Sequence, residues 1–247
     1  MPRKALQFLV PLGLLLFLAG IAYSQEAAGT TEGSGHGKSW FDLFKTTGFV
    51  GILLLLCSMI GTGLLIQYML SLTEPKLGNP ELLTEVEELM TDGNIDDAFT
   101  MAEADRSYAG RVLAGAIARS AGGYEEARQG LEETSAVESF RLNAKISLLS
   151  LIGNIGPLLG LLGTVTGMIS SFQVIETMKA PTPGDLAKGV YESLVNTTIG
   201  LFIAIVFLSA YFFMKNKISD ITLRINNQIS DLLSRTMGSV PAEGSSS

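Results

Sequence analysis

Three long apolar runs constrain this chain more than any other feature. A helix that crosses the hydrocarbon of a bilayer needs about 20 consecutive, largely apolar residues. Runs of that kind occupy residues 46–70, 146–175 and 190–214. The first is nearly uninterrupted. The other two carry polar residues, and polar positions within a span face other helices or water rather than lipid. The mean hydropathy of +0.36 reflects these runs rather than an evenly spread core pattern. The expected fold is therefore all-α: a polytopic membrane protein with three long transmembrane helices after a cleaved signal peptide, and a cytoplasmic helical domain.

The rest of the chain falls around these spans. Residues 1–24 begin Met-Pro-Arg-Lys, continue through an apolar stretch from Leu6 and end at Ala22-Tyr23-Ser24. A basic start, a short apolar region and small residues at the end fit a cleavable secretory signal, with an uncleaved helix as the alternative. Residues 25–45 form a Gly/Ser-rich linker followed by Trp40, Phe41 and Phe44, aromatics suited to a headgroup region. Residues 71–145 read as soluble helices. Asn79-Pro80-Glu81 supplies a cap, a first-turn proline and a first-turn acid. Gly93-Asn94 and Gly122-Gly123 mark helix ends, and a helical pattern from Tyr124 runs straight into the second span. A short loop is expected at 176–189. The tail at 215–247 is amphipathic through Ile218, Ile221, Ile225, Ile229 and Leu232, then ends in a polar stretch.

Charge sets the orientation and excludes several functions. The net charge is -7, with the acidic residues concentrated between Glu74 and Glu138, so no basic nucleic-acid footprint exists. Arg106, Arg111, Arg119, Arg128, Arg141 and Lys145 lie between spans one and two, and Lys215, Lys217, Arg224 and Arg235 follow span three. Only Lys38, Lys45, Lys179 and Lys188 lie on the other side. The positive-inside rule then places the helical segment and the C-terminus in the cytoplasm and the mature N-terminus in the periplasm. Cys57 is the only cysteine and reads as a small side chain inside a membrane helix. His36, the only histidine, sits in the linker and forms no metal site. No nucleophile–base pair, metal cluster or nucleotide loop suggests an enzyme, and no cofactor is expected.

Two features of the spans carry functional weight. In span two, Gly153, Gly156, Gly160, Gly163, Gly167 and Ser170 repeat at alternating spacings of three and four. They form a small-residue face that lets a neighbouring backbone approach closely. Beside it runs a mostly polar row of Ser147, Ser150, Asn154, Pro157, Leu161, Thr164, Met168 and Ser171. Pro157 cannot donate to the Gly153 carbonyl, which leaves a kinked helix or a water-accessible path as the two readings. Span three holds Glu192, with Asn196 one turn later and Thr197 about 140° round from Glu192 at about 100° per residue. An ionisable residue inside a span is a functional candidate, although one near the outer boundary can also reach headgroup water. Ser193, Thr197, Gly200 and Ala204 form a second close-packing strip.

Two segments carry a family resemblance. Gly156-Pro-Leu-Leu-Gly-Leu-Leu-Gly-Thr-Val-Thr-Gly-Met168 resembles the second-helix signature of the MotA/TolQ/ExbB proton channel family, closest to ExbB and TolQ, with a proline and a threonine seven apart. Asp185-Leu-Ala-Lys-Gly-Val-Tyr-Glu-Ser-Leu-Val-Asn-Thr-Thr-Ile-Gly-Leu201 resembles the third-helix signature, with glutamate and threonine five apart. Asn196 departs from the small or hydroxyl residue usual there. The resemblance implies a homo-oligomer, a pentamer, whose second and third helices line a pore in the bacterial inner membrane. It also implies a single-span partner resembling ExbD or TolR that brings a transmembrane aspartate, and a TonB/TolA-like effector beyond it. Thr164, Thr197, Glu192 and Asn196 would line the ion pathway; Gly153, Gly156, Gly160, Gly163, Gly167 and Gly200 would pack helices; Pro157 would kink one. A MotA-like stator and a non-conducting membrane scaffold are the alternatives. The first of these lacks its extra membrane helices here.

Overall fold

A computed structural model describes residues 48–177 and 182–237. The expected signal peptide, the linker with His36, the aromatics Trp40, Phe41 and Phe44, and the final polar stretch lie outside the described residues. Every regular element among the described residues is helical. They are α1 Gly48–Ser71, α2 Glu74–Gly78, α3 Pro80–Thr91, α4 Ile95–Ala104, α5 Tyr108–Ile117, a 3-10 turn Ser120–Gly122, α6 Tyr124–Thr177 and α7 Pro183–Met237. Three of them, α1, α6 and α7, are long and apolar enough to cross a membrane. The pattern from Tyr124 into the second span is one helix, as is the stretch from the third span into the tail.

The helices group into two compact units, and α1, α6 and α7 contribute residues to both. The first unit holds α1 up to Gly61 together with Leu151–Ser209. Its interior is made by Val50, Leu54, Ile203, Ala204 and Phe207. The Phe207 ring lies on Gly61, where an added methyl group would come within 2.5 Å of it. The outward faces are apolar: Phe49, Leu158 and Ile205 are 74%, 64% and 65% exposed. Apolar surface on that scale is stable against hydrocarbon or other helices, not against water.

The second unit holds Thr62–Ser150 and the chain from Ala210 onward. Its start depends on Asn79, which adopts the left-handed conformation at φ 34° between α2 and α3. The sequence suggested a side-chain cap at this residue. Instead its backbone turns the chain, no cap bond forms, and its Nδ2 donates to Asp105 Oδ2. Ser107 does cap α5, accepting from the Gly110 N–H at 3.1 Å. The tail of α7 covers the short helices: Ile218, Ile221, Ile225, Ile229 and Leu232 are all buried. Ile225 lies 3.5 Å from the Cβ position of Gly78. Tyr108 is buried and donates to Asn226 Oδ1 at 2.9 Å, with Ser139 Oγ at 3.3 Å. Burial pushes its phenol up, against these two hydrogen bonds. Glu138, 6% exposed, is held from two sides by Arg111 at 2.7 Å and Arg141 at 2.5 Å.

Candidate functional site

The glycine face of α6 and the small-polar face of α7 meet along an antiparallel seam inside the first unit. Close approach is possible because the facing positions lack bulk. A methyl group at Gly156 would stand 2.9 Å from the Gly200 carbonyl oxygen, and one at Gly160 would stand 3.0 Å from Thr197 Cα. One at Gly163 would meet Asn196 Cβ at 2.6 Å, and one at Gly153 would meet Leu208 Cγ at 2.7 Å. Further along, Gly167 faces the Ser193 hydroxyl and the Gly189 carbonyl. Each of these contacts needs the missing side chain, which is why the spacing of three and four recurs on this helix face.

With the backbones this close, short hydroxyls of α7 reach across to carbonyls of α6. Thr197 Oγ1 donates to Gly160 O at 3.2 Å, and Ser193 Oγ lies 3.3 Å from Thr164 O. Both hydroxyls also lie near carbonyls one turn back in their own helix, Ser193 O at 3.4 Å and Gly189 O at 2.7 Å respectively. Thr164 is half-buried, and its own hydroxyl bonds within α6 to Leu161 O at 2.6 Å. Asn196 is buried at 4% exposure. Its Oδ1 is buried without a hydrogen-bond partner in the chain. Glu192, one turn before Asn196, is half-buried.

The structure thus brings Thr164, Thr197 and Asn196 to one seam, through Ser193, Gly160 and Gly163. Thr197 and Asn196 turn toward the neighbouring helix of their own chain. Pro157 lies within the continuous helix α6. The other members of the polar row diverge: Ser147, Leu161 and Met168 are exposed, while Ser171 is buried and donates to Gly167 O at 3.1 Å. Sequence reasoning placed Ser193 on a packing strip but missed its bond across the seam, and it missed Gly189 altogether. The signal was present. Gly189, Ser193, Asn196 and Gly200 repeat at four, three and four residues, the same period as the glycines they face. Among the described residues, no group of three or more His, Cys, Asp or Glu could hold a metal ion.

Comparison with known proteins finds relatives over parts of this chain. The chain is 24% identical over 145 residues to an ExbB homolog of Methanothermobacter thermautotrophicus described as a biopolymer transport protein, covering 59% of this chain and 51% of that one. It is 39% identical over 74 residues to the Tol-Pal system protein TolQ of Pseudomonas aeruginosa, covering 30% of this chain and 32% of that one. A biopolymer transport protein exbB1 of Vibrio cholerae is 47% identical over 66 residues, covering 26% and 29%. The chain therefore spans about half, or less, of the length of these curated relatives. A family profile matches residues 97–227, more than half of the chain, from α4 through both helices of the seam and into the tail of α7. The chain is a membrane protein, not an enzyme, and it belongs to the MotA/TolQ/ExbB proton channel family.

Proposed function

We propose that this chain is the ring-forming subunit of an ion-driven energising complex of the ExbB/TolQ type in the bacterial inner membrane. Several copies, five in the reading favoured here, surround a pore. A single-span partner resembling ExbD or TolR contributes a membrane aspartate to it, and a TonB/TolA-like effector takes up the motion. The observation that carries this reading is the pair of bonds across two adjacent spans, Ser193 Oγ to Thr164 O and Thr197 Oγ1 to Gly160 O, within the segment that matches the family profile. A relay needs a group that titrates, and the seam itself presents hydroxyls and an amide. The partner aspartate supplies that group. One charge crossing 100 mV releases roughly 2.3 kcal/mol, so a few ions per step are enough to drive a rotation or shear between partner and ring. The basic residues that flank the spans favour a cytoplasmic C-terminus.

The test is co-purification with the single-span partner, followed by ion flux in liposomes on the same preparations. Thr164→Val keeps the side-chain shape and removes the hydroxyl. On the channel reading the complex assembles and flux falls sharply, while Glu192→Gln does less because the obligatory titration belongs to the partner. A passive scaffold draws support from the Thr164 hydroxyl being bonded within its own helix. On that reading Thr164→Val is mild, since such a bond is worth only about 0.6 kcal/mol in a membrane. Full flux from an assembled Thr164→Val complex would remove the hydroxyl from the ion path.

A further inference from the structure

We propose that the cleft between α3 and the C-terminal end of α7 receives a basic peptide carrying an apolar side chain, supplied by the cytoplasmic end of the single-span partner. The source of the peptide rests on the complex proposed above; the chemistry of the cleft stands without it.

The cleft lies wholly within the second unit. Its volume of about 260 Å³ is below the roughly 300–1,000 Å³ of enclosed small-molecule sites, so it suits a side chain of a peptide rather than a free ligand. Pro80 and Leu83 from α3 and Leu232 from α7 give it an apolar wall. Glu87, Asp231 and Arg235 line the polar side.

Charge decides what fits. Arg235 Nη1 donates to Glu87 Oε1 at 3.1 Å, and its Nη2 donates to Asp231 Oδ2. One guanidinium thus answers two carboxylates from different helices, and the edge of the cleft stays negative. The exposed Glu81 and Glu88 adjoin Pro80 and Glu87 on α3 and add to that field. Between Glu74 and Asp105 the only basic residue is Lys76, and its Nζ donates to the Leu70 carbonyl at 3.0 Å. Arg235 also sits in the last turn of α7, where the helix dipole favours a cation. The position between Glu87 and Asp231 is therefore a cation site, filled by a side chain of the chain itself. That side chain is 61% exposed. Exposed ion pairs contribute little to stability, so an incoming lysine or arginine displaces it at small cost while Arg235 stays in water.

The partner meets both requirements by its topology. A single-span protein leaves one end in the cytoplasm whichever way it is inserted, and the positive-inside rule makes the flank of the span at that end basic. The apolar wall then selects a flank that carries an aliphatic residue beside its basic ones.

The test has two arms, both on the full-length chain in neutral detergent. The first is anisotropy of a fluorescent lysine–leucine peptide. The native chain should bind it, and Glu87→Gln with Asp231→Asn should weaken binding roughly tenfold. Arg235→Ala removes the competing cation and should tighten binding, a change that structural damage would not produce. Asp96→Asn with Asp97→Asn, on α4 away from the cleft lining, should leave it unchanged. No binding, or equal losses from the two acid pairs, overturns the cleft. The second arm carries Cys57→Ser and a crosslinker that joins cysteine to lysine. Thr84→Cys, in the cleft, should capture the co-purified single-span partner, and the exposed Thr100→Cys on α4 should not. A partner that co-purifies but is not captured from Thr84→Cys overturns its assignment to the cleft. If no single-span protein co-purifies, the proposed complex fails, and the peptide arm still decides the cleft.

Discussion

At Gly200 and Gly163 the helix seam is decided atom by atom. A methyl group at Gly200 would stand 2.5 Å from the Gly156 carbonyl oxygen, a backbone atom that cannot turn away. Gly200→Ala should therefore destabilise the folded chain by about 1–3 kcal/mol, the usual cost of overpacking. Gly63, on α1, is the control, because nothing lies within 4 Å of its Cβ position. Gly63→Ala should leave the melting temperature of purified protein unchanged or slightly raised. A Gly200→Ala protein as stable as the native one would show that the seam tolerates an extra methyl group. By the same logic Gly160→Leu should reduce the yield of folded protein far more than Leu161→Ala, since a methyl group at Gly160 would stand 3.0 Å from Thr197 Cα while Leu161 is 59% exposed.

At the scale of elements, the second unit is joined by a few buried polar links between helices. Glu138 on α6 is 6% exposed and takes Arg111 from α5 and Arg141 from its own helix. Losing either arginine leaves the other. Losing both strands a buried carboxylate, so the loss in Arg111→Ala with Arg141→Ala should exceed the sum of the single losses by about 1–3 kcal/mol. Simple additivity in thermal unfolding would show that the two arginines act independently and that neither stands in for the other. Asp105 links the start of α3 to the start of α5. Burial pushes its carboxyl up, but bonds from the Ser107 N–H, Asn79 and the Ser107 hydroxyl outweigh it and hold the group below its usual 3.8. A lowered native value means the contribution to stability is complete above pH 3.8 and disappears as the pH falls through the native value. Asp105→Asn should flatten that acid loss in melting curves taken below pH 4.

On the scale of the whole molecule, the topology is testable without any assumption about flux. Cysteines at Glu125, whose side chain is 77% exposed, and at Thr182, just before α7, lie at opposite ends of the second span. In intact cells an impermeant thiol reagent should label Thr182→Cys from outside and Glu125→Cys only after the inner membrane is opened. The native Cys57 is replaced by serine in both variants. The reverse pattern would turn the chain over.

Spans, seam and tail were legible in the sequence because each rests on a period. A run of apolar residues, glycines at three and four, and isoleucines at Ile218, Ile221, Ile225 and Ile229 state which face of a helix is buried whatever lies against it. Family membership followed from two motifs of this kind. What only the tertiary structure decided is partner choice. Nothing in the pattern says that Thr197 donates to Gly160, that Tyr108 reaches Asn226 far along the chain, or that Asn79 spends its side chain on Asp105 rather than on a cap. Those bonds depend on the register between helices, which a one-residue slip would change while leaving every period intact. Asn196 belongs to the same class: its side chain is buried where Gly163 comes to face it.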